Sequence, residues 1–172
     1  MDQAEIDAFW RDAQIRGRLN PAGAYLGRTV DEVLPPPAWS FGSSEQEADE
    51  LLALVLAGTK TATSSARREY EADGTDLPTP GMLAIVMDGA QRPRALIRTT
   101  HVEVVPFGAV PPEHADAEGE GDRSLEQWRR AHAAFFAGPE GRIDPEMLVV
   151  LERFVVLASG PTRSRAGVPQ NA

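Results

Sequence analysis

The residues whose chemistry stands out lie close together in segment 58–63, which reads Gly-Thr-Lys-Thr-Ala-Thr. Lys60 is the only lysine of the chain, because the other sixteen of its 17 basic residues are arginine. A lysine amine can lose its proton and act as a base, whereas an arginine guanidinium stays charged. Composition alone favours neither a catalytic lysine nor one retained by chance at a solvated position. Thr63 carries a hydroxyl that becomes a nucleophile when an adjacent base takes its proton, and is otherwise an ordinary β-branched strand residue.

Glu118 is an acidic residue that could serve the same site. It lies in the glycine-rich acidic run 117–122, which by composition is also typical of a solvated loop. His114, Asp116 and Glu118 alternate, so on an extended segment all three would face one side and could bind a hard divalent metal ion. Because such spacing is common by chance, a divalent ion is a candidate cofactor to which we assign no ligands.

Further polar residues could contact a substrate without reacting with it. Arginine binds phosphate, aromatic rings stack on bases, and small polar residues supply hydrogen bonds. Trp39 and Trp128 fit core packing better, and the pattern at Ser124 also fits a helix N-cap. The predicted substrate-binding residues are Gly58, Thr61, Arg67, Arg68, Tyr70, Arg98, Arg123 and Ser124.

A helix followed by a strand must position segment 58–63. Ser44 and Glu47 have the spacing of a capping box, the residues up to 57 are rich in Leu and Ala, and Gly58 follows as a C-terminal cap. We therefore predict a helix over 45–57 and a strand beginning within 59–65. Positions 60 and 63 would face opposite sides of a regular strand, so the segment must begin in a turn if both residues are to face one cleft.

The remaining patterns predict a mixed α+β domain. Apolar spacing predicts helices over 2–17 and 124–135, a β-hairpin or meander within 83–105, and a last strand over 147–157. Residues 20–39 are rich in Gly and Pro and indicate a linker or arm. We predict an N-terminal helical extension (1–38) outside the catalytic unit, a central domain (39–157) and a mobile tail (158–172).

Composition limits the functions open to the chain. Its 172 residues suit one hydrophobic core, and the absence of cysteine excludes disulfides and thiolate chemistry. A net charge of −9 argues against a protein that coats nucleic acid, although the basic residues concentrate in 58–100 and 128–172. No apolar run is long enough to span a bilayer, so we expect a cytoplasmic protein of a bacterium-like cell. The oligomeric state does not follow from the sequence.

Several motifs occur together and in order, and these resemble the ASCH domain family. The central one is a helix that runs into a GxKxxT motif, here residues 48–63. The others are Phe41-Gly42, Leu77-Pro78 with Gly81, Asp88-Gly89, Ile97-Arg98-Thr99-Thr100, Val104-Val105-Pro106-Phe107, residues 117–122 with Trp128, and Glu152-Arg153-Phe154. The resemblance covers about residues 39–157. Where the family usually has Gly-Asp, this chain has Gly81-Met82.

The resemblance implies a PUA-like β-barrel surrounded by helices, with a cleft for RNA or a modified nucleoside. Relatives of this length resemble ribonucleases that cleave single-stranded RNA, in some cases with a divalent metal. Shorter relatives are amidohydrolases that act on N4-acetylcytidine through a lysine and a threonine of the GxKxxT motif and a downstream glutamate. Carried over by motif, these residues are Lys60, Thr63 and Glu118. We expect an RNA-directed hydrolase, with an amidohydrolase or a noncatalytic RNA-binding module as alternatives.

Overall fold

The computed structural model describes residues 2–17, 19, 34–137 and 143–160. Within them, five α-helices and a short 3₁₀ helix surround one five-stranded sheet. The elements are α1 (Gln3–Arg16), β1 (Ala38–Trp39), α2 (Glu45–Leu56), β2 (Ala62–Ala66), α3 (Arg67–Asp73), β3 (Leu83–Met87), β4 (Pro93–Pro106), the 3₁₀ helix (Phe107–Ala109), α4 (Pro112–Glu118), α5 (Leu125–Phe136) and β5 (Leu148–Ser159).

The sheet has the strand order β1-β3-β4-β5-β2. β1 pairs in parallel with β3, whereas β3, β4, β5 and β2 are joined by antiparallel ladders. The predicted α+β, PUA-like fold class is confirmed. The barrel does not close among the described residues, because β1 has only two residues and pairs with β3 alone, which leaves β1 and β2 as edges.

The predicted caps define the two helices that flank the site. The Ser44 hydroxyl accepts a hydrogen bond from the Glu47 amide at 3.2 Å and begins α2. The Ser124 hydroxyl likewise accepts from the Gln127 amide at 3.1 Å and begins α5. The hairpin of β3 with β4 and the last strand, β5, also confirm the sequence predictions.

The prediction for residues 114–118 was wrong, because they form α4 rather than an extended segment or loop. Pro112 occupies the first turn of α4, where its missing N–H is not needed, and Gly119 ends the helix with φ of 72°. Helical spacing places His114 and Glu118 on one buried face and turns Asp116 outward.

Three apolar clusters fix the helices on the sheet. α1 contributes Ile6, Phe9, Trp10 and Ala13 to a cluster with β3, β4 and β5, so it belongs to the core rather than to a detached arm. α2 packs on the sheet around Phe154. α4, α5 and the 3₁₀ helix pack on β2 and β5 in a third cluster.

Two predicted segments fall mostly outside the described residues. The arm over 20–39 is described only from residue 34, and Ala38 and Trp39 form β1. Of the tail over 158–172, Ala158 and Ser159 complete β5, and residues 161–172 lie outside the described part.

Candidate functional site

A tight turn carries segment 58–63 from α2 into β2. Gly58 has φ of 73°, a left-handed conformation that glycine adopts readily. The amides of Thr59 and Lys60 both donate to the Leu54 carbonyl, at 2.9 and 3.1 Å. The segment therefore begins in a turn, as the strand geometry required, and the turn directs Lys60 into the protein.

Thr61 anchors this turn to the end of α4. Its amide and its hydroxyl both donate to the Ala117 carbonyl, at 2.8 and 3.3 Å, and its own carbonyl accepts from the Phe154 amide. A Cβ at Gly119 would lie 2.5 Å from the Thr59 carbonyl oxygen, so the close contact between turn and α4 requires glycine. Segment 58–63 and the acidic run 117–122 are thus held together as one structural unit.

Lys60 lies in the interior, with only 2 % of its surface exposed. Its Nζ is 2.6 Å from Oε1 of Glu120 and 3.3 Å from Oε2 of Glu118, and it stands 5.2 Å from the centre of the Phe41 ring. Two carboxylates and an aromatic face stabilise the charged ammonium. This geometry contradicts the interpretation of Lys60 as a solvated surface residue.

Glu118 accepts hydrogen bonds on both carboxylate oxygens although it is 1 % exposed. Oε1 accepts from the Ser64 hydroxyl at 2.6 Å and from the Trp128 indole N–H at 2.7 Å, and the His114 Nε2 lies 3.2 Å away. Oε2 faces Lys60. The Ser64 hydroxyl in turn lies 2.9 Å from His114 Nε2.

His132 extends this network from α5. Its Nδ1 lies 3.0 Å from the Trp128 carbonyl oxygen, and its Nε2 lies 3.5 Å from Glu118 Oε2. Both ring nitrogens therefore face oxygen atoms of the network.

The environment of Glu118 keeps it ionised. Burial alone would raise its pKa, but the hydrogen bonds from His114 and His132 and the charge of Lys60 together lower the pKa well below 4.5. Glu118 is consequently a fixed counter-ion at the centre of the network.

The network forms one wall of a cavity of about 410 Å³. Lys60, Thr63, Glu118 and Glu120 all line it, and Phe135 stands at its edge with 63 % of its surface exposed. The volume falls within the range of small-molecule sites. Among the described residues, its lining includes four glutamates, one lysine and no arginine, so this part of the cavity carries a surplus of negative charge.

The structure brings together the three predicted catalytic residues. Lys60, Thr63 and Glu118 converge on one cavity, although the Lys60 ammonium bonds to carboxylates rather than to the Thr63 hydroxyl. Their catalytic roles remain predictions.

The eight predicted substrate-binding residues lie outside this cavity. Arg67 pairs with Glu71, Arg68 donates to the Phe136 carbonyl, and Arg123 pairs with Asp116. The other five also lie elsewhere in the fold. Tyr70 hydrogen-bonds to Ser65, and Arg98 is exposed on β4. Ser124 caps α5, Gly58 forms the turn before β2, and Thr61 anchors that turn to α4.

Sequence reasoning missed four residues of the site: Ser64, Glu120, Trp128 and His132. Trp128 is buried in the core, as predicted, yet its indole N–H also serves Glu118. The spacing of Trp128 and His132, four residues apart on α5, was the signal that could have identified them.

The metal hypothesis has no geometric support in the residues described. Asp116 turns away from His114 and Glu118 and pairs with Arg123 at 3.1 Å. No group of three or more His, Asp or Glu side chains among the described residues is arranged to hold a metal ion.

A mixed sheet covered by helices, with a polar cavity beside a helix-to-strand turn, defines a PUA-like domain. The chain matches the ASCH domain family over residues 37–158 and belongs to that family, whose fold is associated with RNA binding. No curated protein matches the chain. Among its described helices, none is long and apolar enough to cross a membrane.

Two solved structures resemble the chain along most of its length. A protein from Enterococcus faecalis V583 is 32% identical, with a TM-score of 0.75, over 92% of this chain and 90% of that one. An ASCH domain from Lactobacillus crispatus JV V101 is 31% identical, with a TM-score of 0.68, over 86% of this chain and 94% of that one.

Proposed function

We propose that this protein hydrolyses an amide bond on the base of a modified nucleoside, which binds in the cavity beside Lys60. The observation that carries this proposal is the charge of the cavity, whose four glutamates outnumber its one lysine. A phosphodiester would bring further negative charge to this surface. An uncharged base with an acylated amino group brings none, and its amide N–H can donate to a carboxylate.

Strand cleavage, the leading expectation from the family resemblance, has less support. The lysine is already neutralised by two carboxylates, at 2.6 and 3.3 Å. The arginines predicted to bind phosphate lie outside the cavity. A backbone phosphate would therefore find no unpaired cation among the described cavity residues.

The residues flanking the cavity suit amide chemistry. An ammonium group such as that of Lys60 stabilises the oxyanion that forms when an amide carbonyl is attacked. Thr63 lines the same cavity, where its hydroxyl can donate a second hydrogen bond to that oxygen. The exposed Phe135 offers an aromatic face for a planar base.

The test is turnover of two substrate classes by the same preparation. Acylated nucleosides, including N4-acetylcytidine, should be hydrolysed to the free amino base, and a single-stranded RNA oligonucleotide should remain uncut. Lys60→Met, measured beside the wild type, should abolish turnover. Cleavage of the RNA with no hydrolysis of any acylated nucleoside would overturn the proposal in favour of a ribonuclease.

Phe135 provides a separate prediction about ligand binding. Because its ring is 63 % exposed at the cavity edge, Phe135→Ala should raise KM by about 5- to 100-fold, the equivalent of roughly 1–3 kcal/mol of base stacking, and leave kcat within a factor of two. Phe135→Tyr should retain the wild-type KM. Ile15→Ala, an exposed apolar residue on α1, is the matched control. An unchanged KM in Phe135→Ala would exclude stacking at this ring.

A further inference from the structure

Two glutamates contact Lys60, and their surroundings differ. Glu118 is enclosed, and its two oxygens accept from Ser64 and Trp128 on one side and face Lys60 on the other. To take a proton from a ligand, it would have to give up a bond to one of these donors. A carboxylate whose two oxygens are both occupied by donors holds its neighbours in place and is poorly placed to accept a proton from a ligand.

Glu120 is the more accessible carboxylate. Its side chain is 34% exposed and lines the cavity, and its Oε1 lies 2.6 Å from Lys60 Nζ. In the described part of the chain, no hydrogen bond to its second oxygen, Oε2, is found. One oxygen is thus fixed by the lysine, and the other is free to meet a ligand or a water molecule.

The loop that carries Glu120 is constrained on both sides. Gly119 and Gly121 have φ of 72° and 54°, a left-handed conformation that favours glycine at both positions. A Cβ at Gly119 would collide with the Thr59 carbonyl, and one at Gly121 would overlap the Gln127 side chain. Contacts with the turn of segment 58–63 and with α5 therefore define the position of Glu120.

We infer that Glu120, rather than Glu118, is the proton-transfer residue of the site, and that Glu118 is a positioning residue that acts through Lys60. The inference rests on the proposed amide hydrolysis. Glu120 Oε2 takes a proton from water, whose oxygen forms a bond to the amide carbon, and the carbonyl electrons move to an oxyanion beside the Lys60 ammonium. When the carbonyl re-forms, the C–N bond breaks and Glu120 returns the proton to the leaving nitrogen. The products are a carboxylic acid and the amino base, and the carboxylate is regenerated.

Substitution of each glutamate by glutamine separates the two roles. Glu120→Gln should lose at least about 100-fold in kcat, the usual contribution of a general base, with KM and Tm close to wild type. The main effect of Glu118→Gln should be a lower Tm, because this substitution disturbs a buried network. Glu126→Gln, which removes one exposed charge from the first turn of α5, is the matched control and should change nothing.

Chemical rescue tests the proton role independently of folding. Formate added to Glu120→Ala should restore part of kcat in proportion to its concentration, whereas chloride at equal ionic strength should not. Glu120→Gln with kcat within threefold of wild type, or Glu120→Ala that formate does not rescue, would overturn the inference and leave the proposed function standing. A wild type that hydrolyses no acylated nucleoside would overturn both.

Discussion

At the scale of single residues, the burial of Lys60 changes how a substitution at this position has to be interpreted. The sequence predicts a turn at the start of segment 58–63, and its composition left a solvated position open for Lys60. Because Lys60 is 2 % exposed and neutralises two carboxylates, any substitution tests stability as well as chemistry. A planar guanidinium differs in shape from the compact ammonium, so it would not reproduce both contacts of Lys60 Nζ with Glu118 and Glu120.

We predict that Lys60→Arg will lose activity nearly as completely as Lys60→Met. Lys60→Met should also lose about 3–5 kcal/mol of unfolding free energy, because it leaves Glu118 buried without its cation. The double variant Lys60→Met with Glu118→Gln should recover part of that stability and none of the activity. Thermal or urea unfolding together with nucleoside turnover gives both measurements. Near-normal turnover by folded Lys60→Arg would show that the site needs only a positive charge at position 60.

At the scale of secondary-structure elements, α4 and β5 each carry a glutamate, and the surroundings of these two glutamates shift the pKa in opposite directions. Hydrogen bonds and charges outweigh burial at Glu118 in α4 and lower its pKa. At Glu152 in β5, burial dominates and raises the pKa, and a hydrogen bond from the Thr99 hydroxyl at 3.2 Å opposes it. The two carboxylates therefore affect stability in opposite directions as pH changes.

For Glu118, we predict a stabilising contribution that is lost in acid. Its folded pKa lies well below the ordinary 4.5, so the contribution is present above pH 4.5 and declines as pH falls from there towards the folded pKa. Glu118→Gln should therefore be less stable than wild type at pH 7, and the difference should shrink below pH 4.5. Urea unfolding at pH 7 and at pH 3.5 tests this, and a constant difference at both would contradict it.

For Glu152, the sign is reversed. Its folded pKa lies above the ordinary 4.5, so the folded state is favoured at low pH and loses that advantage as pH rises through the raised value. Glu152→Gln should raise Tm at pH 7 and leave it unchanged at pH 4 or below. A lower Tm at pH 7 would show that the ionised carboxylate makes a stabilising contact in solution.

The elements differ in how well the sequence predicts them, and the reason is physical. α2 and α5 have serine caps and long apolar faces, which are local signals, and their helices were predicted closely. α4 has seven residues and no side-chain cap, so its helix depends on packing against β2 and α5. Since α4 carries His114 and Glu118, the network they share with Ser64 depends on contacts 50 and 54 residues apart in the chain and could not be seen in any local pattern.

At the scale of the whole molecule, α1 and the cavity lie in separate parts of the fold. The described residues that line the cavity lie between Phe41 and Phe135, whereas α1 packs in a separate apolar cluster, against Ile85, Met87 and Leu96. That the N-terminal residues lie outside the catalytic unit stays a prediction. The same packing makes α1 part of the hydrophobic core.

We therefore predict that Trp10→Ala will reduce stability without changing catalysis. Trp10 is 4 % exposed, so its truncation should cost about 3–5 kcal/mol of unfolding free energy. Measured at a temperature where the variant remains folded, kcat/KM for the nucleoside should match wild type. Ile15→Ala, at a position 78 % exposed, should leave both quantities unchanged. A lower kcat/KM in folded Trp10→Ala would place α1 within the functional unit.

The burial of the single lysine also gives the protein an unusual response to covalent labelling. Amine-reactive reagents modify neutral, accessible amines, and the Lys60 ammonium is enclosed and held by two carboxylates. The rate at which such a reagent modifies residue 60 therefore reports how often the turn between α2 and β2 opens. Mass spectrometry of one lysine-containing peptide would follow that opening in the unmodified sequence, with no introduced cysteine and no dye.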